Sequence, residues 1–172
     1  MLFGLFELFG RNNKDDEQTK QSLPGTKVYY HPHLLEELLE DHVHLLNLFG
    51  KIDTAYKKGN TKLAIKTLNN FSNELRAHLL VENTKLYIYV RHSLSEKPKE
   101  ARIAREFQQE MRGIGKVLNT FVTRFSTETW SDEEREEFGT QLATIGGILI
   151  QRIEAEEETL FPLYREPNFF EK

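Results

Sequence analysis

SDEEREEFGTQLATIGGILIQRIEAEEETL, residues 131–160, has the spacing of one long amphipathic helix. Ser131 is placed to cap the first turn while Glu134 reaches back to it, the reciprocal arrangement of a capping box. Phe138, Leu142, Ile145 and Leu149 then recur at three- and four-residue intervals, a stripe that helical winding lays along one face. The stripe continues into Arg152 and Glu156 before closing on Leu160, and the segment extends to about Tyr164. Two ionisable residues on an otherwise apolar face need a reason to be there, because burying a charge is costly unless it is paired.

Three more segments carry the same periodicity. The first runs from about Pro32, which suits a first helical turn, to Lys58, with Gly59 as its stop. Its apolar positions are Leu35, Leu38, Val43, Leu45, Leu46, Phe49 and Ile52. The second starts after Asn60, a suitable N-cap, and reaches about His92 through Leu68, Phe71, Leu75, Leu86 and Tyr89. The third begins around Ser95 to Pro98 and ends near Thr127, with Phe107, Met111, Ile114, Leu118, Phe121 and Phe125 in line. Only Leu86 to Val90 alternates with a strand's period, and it lies inside the second helical stripe. The expectation is an all-α, antiparallel up-down-up-down four-helix bundle.

A chain of 172 residues suits one domain with a tail, here residues 1–25 as tail and linker and 26–172 as the bundle. The net charge of −4 argues against nucleic acid, since phosphate binding needs clustered Lys and Arg. Cysteine is absent, which removes disulfides, thiolate nucleophiles and thiolate metal sites together and fits a reducing cytoplasm. Met1–Phe9 (MLFGLFELF) lacks a basic flank and a cleavage site, so it does not read as a secretion signal. No stretch approaches the roughly 20 apolar residues needed to span a bilayer. Phe3, Phe6 and Phe9 form an apolar repeat that reads either as a tail docking on its own bundle or as a dimerisation or partner segment.

The other inner stripes are interrupted at corresponding heights. His42 shares a face with Leu38, Leu45 and Phe49; His78 and Glu82 follow Leu75 and precede Leu86; the third helix has Met111 at that point. Residues four apart lie about 40° from each other around a helix and one turn along it, so His78 and Glu82 can chelate one ion. His42 can supply a third ligand and Glu156 a fourth. A metal-free network remains the other reading, with His42 and His78 bonded to the carboxylates and Arg152 completing the charge. His44 points roughly 200° away from His42 and should not share the site. His31 and His33 read as surface or capping residues, and His92 as a cation at a helix end. The acidic run 132–137 reads as a solvated helix start, Trp130 as an anchor for the preceding loop, and Gly146–Gly147 as a point of close helix packing.

The segments LEDHVHLL (38–45), HLLVE (78–82) with Leu86-Tyr87, and RIEAE (152–156) running into Leu160-Phe161-Pro162 resemble the hemerythrin-like, or HHE cation-binding, family. The resemblance covers nearly everything from about Leu34 to Tyr164. It implies two irons bridged by two carboxylates, one iron held by histidines of helices one and two, the other by histidines of helices three and four. In those terms His42, His78, Glu82 and Glu156 keep one half-site, whereas Met111 and Arg152 stand where the other half's histidines belong. A divalent metal beside two carboxylates and one guanidinium sums formally to about +1, as do two metals with two carboxylates and a hydroxide, and buried sites tolerate little net charge. Iron is the expected metal, with zinc or manganese also suited to such ligands. The role implied is sensing or handling oxygen, nitric oxide or iron as a binding protein more than as an enzyme. A fainter similarity, in HVHLLNLFG (42–50) and QRIEAEEETL (151–160), is to the regulator-of-sigma-D anti-sigma factors. That similarity implies a metal-free regulatory module with a protein partner.

Overall fold

The computed structural model describes residues 22, 23, 25–127 and 129–167, and Met1–Phe9 lies outside them. Among the described residues every regular element is helical, apart from one isolated bridge between Ser22 and Tyr29. The helices are α1 (Leu34–Lys57), α2 (Thr61–Val81), α3 (Tyr87–Ser93), α4 (Pro98–Phe125) and α5 (Asp132–Ala155). A π-turn at Glu82–Leu86 joins α2 to α3, and a second at Glu156–Leu160 leads from α5 into the 3₁₀ turn Phe161–Leu163. Counting α2, its π-turn and α3 as one rod, four helices form a bundle. None of them is long and apolar enough to cross a membrane.

The local signals act where the sequence places them. The Asn60 side chain accepts from Leu63 N–H at 3.0 Å, and Ser131 and Glu134 form the reciprocal cap of α5. Gly59 adopts a φ of 70°, which glycine reaches without strain, and so turns the chain between α1 and α2. Trp130 donates to Phe125 O at 3.2 Å and lays its ring 4.3 Å from that of Phe138. Val43 departs from its expected place: it is 62% exposed, and Leu48 takes the inward position instead.

The π-turns replace what reads in sequence as uninterrupted helix. A strictly α-helical stripe at four-residue spacing drifts around the axis, so the two successive steps of four to Leu86 or Leu160 would carry them toward the edge of the inner face. A π-turn, with its i→i+5 bonding, takes an extra residue per turn and cancels that drift. Leu86, Tyr87, Leu160 and Phe161 are all buried as a result.

The apolar interior is divided in two. One cluster contains Leu45, Ile52, Phe71, Leu75, Phe121, Phe138, Leu142 and Leu149; the other contains Leu34, Leu38, Leu86, Tyr89, Ala104, Leu160 and Phe161. On three of the four inner stripes the boundary between them is polar: His42 on α1, His78 and Glu82 on the second rod, Arg152 and Glu156 on the fourth. Polar groups therefore form a layer across the middle of the bundle, held in register by apolar packing above and below.

The paired glycines of α5 differ. A Cβ on Gly146 would meet Phe49 Cε1 at 2.8 Å, whereas one on Gly147 would meet nothing within 4 Å. Gly146→Ala should therefore lower stability by about 1–2 kcal/mol through overpacking. Gly147→Ala should raise it by up to about 1 kcal/mol through helix propensity. Urea unfolding of the two variants reads the opposite signs directly, and Gly139, whose Cβ would run into Tyr56, provides a second overpacked site.

Candidate metal centre

His42, His78, Glu82 and Glu156 converge. Each offers one ligand atom, and these atoms lie within 4.8 Å of one another. All four are buried, none more than 4% exposed. His42 Nε2 stands 3.5 Å from Glu156 Oε2, and His78 Nε2 stands 3.6 Å from Glu82 Oε1. The two imidazoles face each other with centroids 4.9 Å apart, and Phe161 stacks on His42 at an interplanar angle of 11°. Both Glu82 and Glu156 are the first residues of the two π-turns, the kind of helix irregularity that recurs at functional sites.

Three atoms of this cluster are buried without a hydrogen-bond partner: His42 Nε2, Glu82 Oε1 and Glu82 Oε2. Leaving a buried acceptor unmade costs about 1–3 kcal/mol, more for a charged group. His42 and Glu82 are both members of the four-residue cluster. A borderline divalent cation suits such a set of imidazole nitrogens and carboxylate oxygens. The residues fit a metal.

Electrostatics show the strain of the site without one. Burial, and then the charge of Glu156, push the Glu82 carboxyl up to about 9 against a partly offsetting Arg152, so at neutral pH it keeps its proton. Burial pulls the His42 imidazole down, but Glu156 and Glu157 outweigh it and hold it above its usual value. Deprotonated Glu82 thus needs a positive charge beside it, and a metal bound there would take the place of its proton.

Arg152 fills the opposite side of the layer. Its Nε donates to Glu156 Oε1 at 2.7 Å, one terminal nitrogen to Glu110 Oε2 at 3.1 Å, and the other to Tyr87 Oη at 3.2 Å and Phe107 O at 3.0 Å. The guanidinium also lies 4.2 Å from the Phe107 ring centre. A single N–H of Arg152 thus reaches Glu156, and the terminal nitrogens go to α4 and Tyr87. Met111 is buried on α4 beside Glu110. His33, His44 and His92 are exposed and outside the cluster, as their helical angles and positions imply.

With this geometry in view, the family comparison is decisive. The model of the hemerythrin HHE cation-binding domain matches residues 33–164. The chain belongs to the hemerythrin HHE family. Searches of curated proteins and of solved structures returned no match. The HHE match spans α1 to Tyr164, so every member of the buried cluster falls inside it.

Sequence reasoning overlooked part of the site. Glu157 Oε1 bonds His42 Nδ1 at 2.8 Å, and Asp41 Oδ2 stands 3.3 Å from His78 Nδ1. Tyr87, Glu110 and the Phe107 carbonyl, which anchor Arg152, were equally unforeseen. Asp41 and Glu157 each adjoin a member of the buried cluster in the chain, a signal for outer partners; nothing in the spacing indicates that Glu110 would cross to α5.

Proposed function

We propose that this HHE protein is a single-metal binder whose ion, iron by preference, is held by His42, His78, Glu82 and Glu156. The observation that carries the reading is the convergence of four buried side chains, one ligand atom from each within 4.8 Å of the others, with three of their polar atoms unpartnered. Arg152 takes the role of the second metal of a dinuclear site, because its guanidinium supplies a fixed positive charge to Glu156 and has its own donors engaged. A metal here would supply a Lewis-acidic or one-electron redox centre. The chain's contribution is to orient two imidazoles, keep the carboxylates dry, and surround them with apolar walls. Sensing or handling oxygen, nitric oxide or iron fits that arrangement. Reversible dioxygen carriage, which draws electrons from two irons, does not.

The up-down-up-down order of the rods is part of this reading, supported by the short connections 58–60, 94–97 and 126–131. The metal-free regulatory alternative has less support, since it places two carboxyl groups, Glu82 and Glu156, together in the buried core with no ion between them.

Elemental analysis of protein prepared without chelator tests the proposal. One equivalent of iron, zinc or manganese per chain is expected, and less than a tenth of that in His78→Ala. Equal metal in both, or none in the wild-type after reconstitution with ferrous iron under argon, overturns it.

A further inference from the structure

Each histidine of the cluster uses its inner nitrogen toward the centre and its outer nitrogen toward a carboxylate on a different element. His42, on α1, meets Glu157 from the second π-turn at 2.8 Å; His78, on α2, meets Asp41 from α1 at 3.3 Å. The connections cross: Asp41 adjoins His42 in sequence but serves His78, and Glu157 adjoins Glu156 but serves His42. A neutral imidazole has one N–H and one lone pair, and a carboxylate on Nδ1 takes the N–H, which leaves the lone pair on Nε2. Nε2 is the nitrogen that faces the carboxylates in both residues. Free histidine favours the opposite arrangement, with the proton on Nε2, so the fold must hold the less common tautomer at two places.

We infer that Asp41 and Glu157 are positioning residues that fix His42 and His78 as Nε2 ligands and so set the metal affinity of the site. The inference rests on the single-metal reading. The two residues are graded by geometry. Glu157 is nearer and its side chain less exposed, 37% against 49% for Asp41, so its carboxylate is the better-held partner. They also tie three elements together, so that α1, α2 and the π-turn after α5 are braced through imidazole rings. Outer carboxylates of this kind are usually worth about 10–100-fold in metal affinity.

The test uses the full chain with zinc as probe, measured by competition with a chromogenic chelator, and nitrogen-15 spectroscopy of the imidazoles. Glu157→Ala and Asp41→Ala are each expected to weaken zinc binding by about 10–100-fold, the former more. Glu157→Gln should recover part of the loss, because its carbonyl oxygen still accepts from Nδ1. In metal-free protein, above the imidazole titrations, His42 should be protonated on Nδ1 in wild-type and Glu157→Gln but shift toward Nε2 in Glu157→Ala. Matching changes are expected at His78 for Asp41. Wild-type affinity in both Ala variants with unchanged nitrogen spectra overturns the inference. Should wild-type take up no zinc, the single-metal reading fails, and the metal-free tautomers still decide whether the carboxylates position the rings.

Discussion

Replacing Glu82 by Gln should stabilise the metal-free protein at pH 8 and remove its stoichiometric metal binding. Gln is nearly the size of a protonated Glu, so the apolar packing around it stays intact. Burial, with the Glu156 charge beside it, pushes the Glu82 carboxyl from 4.5 up to about 9 in the fold. Between those values the folded chain holds a proton that the unfolded chain has released, so unfolding becomes easier as pH rises. The slope is up to about 1.4 kcal/mol per pH unit. Stability from this group is complete below 4.5 and exhausted above 9. His42, also raised, acts in the same sense: its contribution is whole below 6.5 and fades as pH climbs through its folded value. Wild-type and Glu82→Gln should therefore unfold alike at pH 5 and diverge by on the order of 3 kcal/mol by pH 8, with the variant ahead. Saturating metal should reverse the wild-type trend, since the ion replaces the proton and binds better as pH rises. Urea titrations at four pH values with and without zinc check all three statements. A flat wild-type profile would show that Glu82 carries no raised pKa.

Arg152→Met should be the most damaging single change to the metal-free fold. The guanidinium is 6% exposed and Glu156 2%, and removing one member of a buried pair costs about 3–5 kcal/mol because the other charge is stranded. Four hydrogen bonds and the stack on Phe107 go with it. Metal should restore more stability to Arg152→Met than to wild-type, because a dication supplies the charge that Glu156 has lost. Replacing Met111 and Arg152 together by His should instead raise the metal content from one equivalent to two. Denaturant midpoints across a metal series measure the first effect, and elemental analysis the second. An Arg152→Met variant as stable as wild-type, or a double His variant still at one equivalent, would contradict the role given to the guanidinium.

The helical class, the caps at Asn60 and Ser131, and the four residues of the buried cluster were readable because each depends on local spacing. A capping box is three residues long, and a chelating His-x-x-x-Glu pair is one turn of helix. The π-turns were not readable, since the same residues spell an ordinary helical stripe and only the need to keep Leu86 and Leu160 inward forces the wider winding. Val43 failed for a related reason: an apolar residue one step off the stripe looks the same in sequence whether or not it turns inward. The anchors of Arg152 lie 42 to 65 residues away in the chain, at Glu110, Phe107 and Tyr87, so only tertiary packing brings them together. Charge counting indicates that a guanidinium balances the carboxylates; it says nothing of which groups hold it still.

Anomalous diffraction from crystals grown with ferrous iron or zinc offers the most direct check on whether this layer is a one-ion site. A single peak per chain is expected between the imidazole Nε2 atoms of His42 and His78 and the carboxylates of Glu82 and Glu156, with Arg152 still bonded to Glu156. No peak there, a peak confined to surface residues such as His33, or a second peak in place of the Arg152 guanidinium would contradict the account.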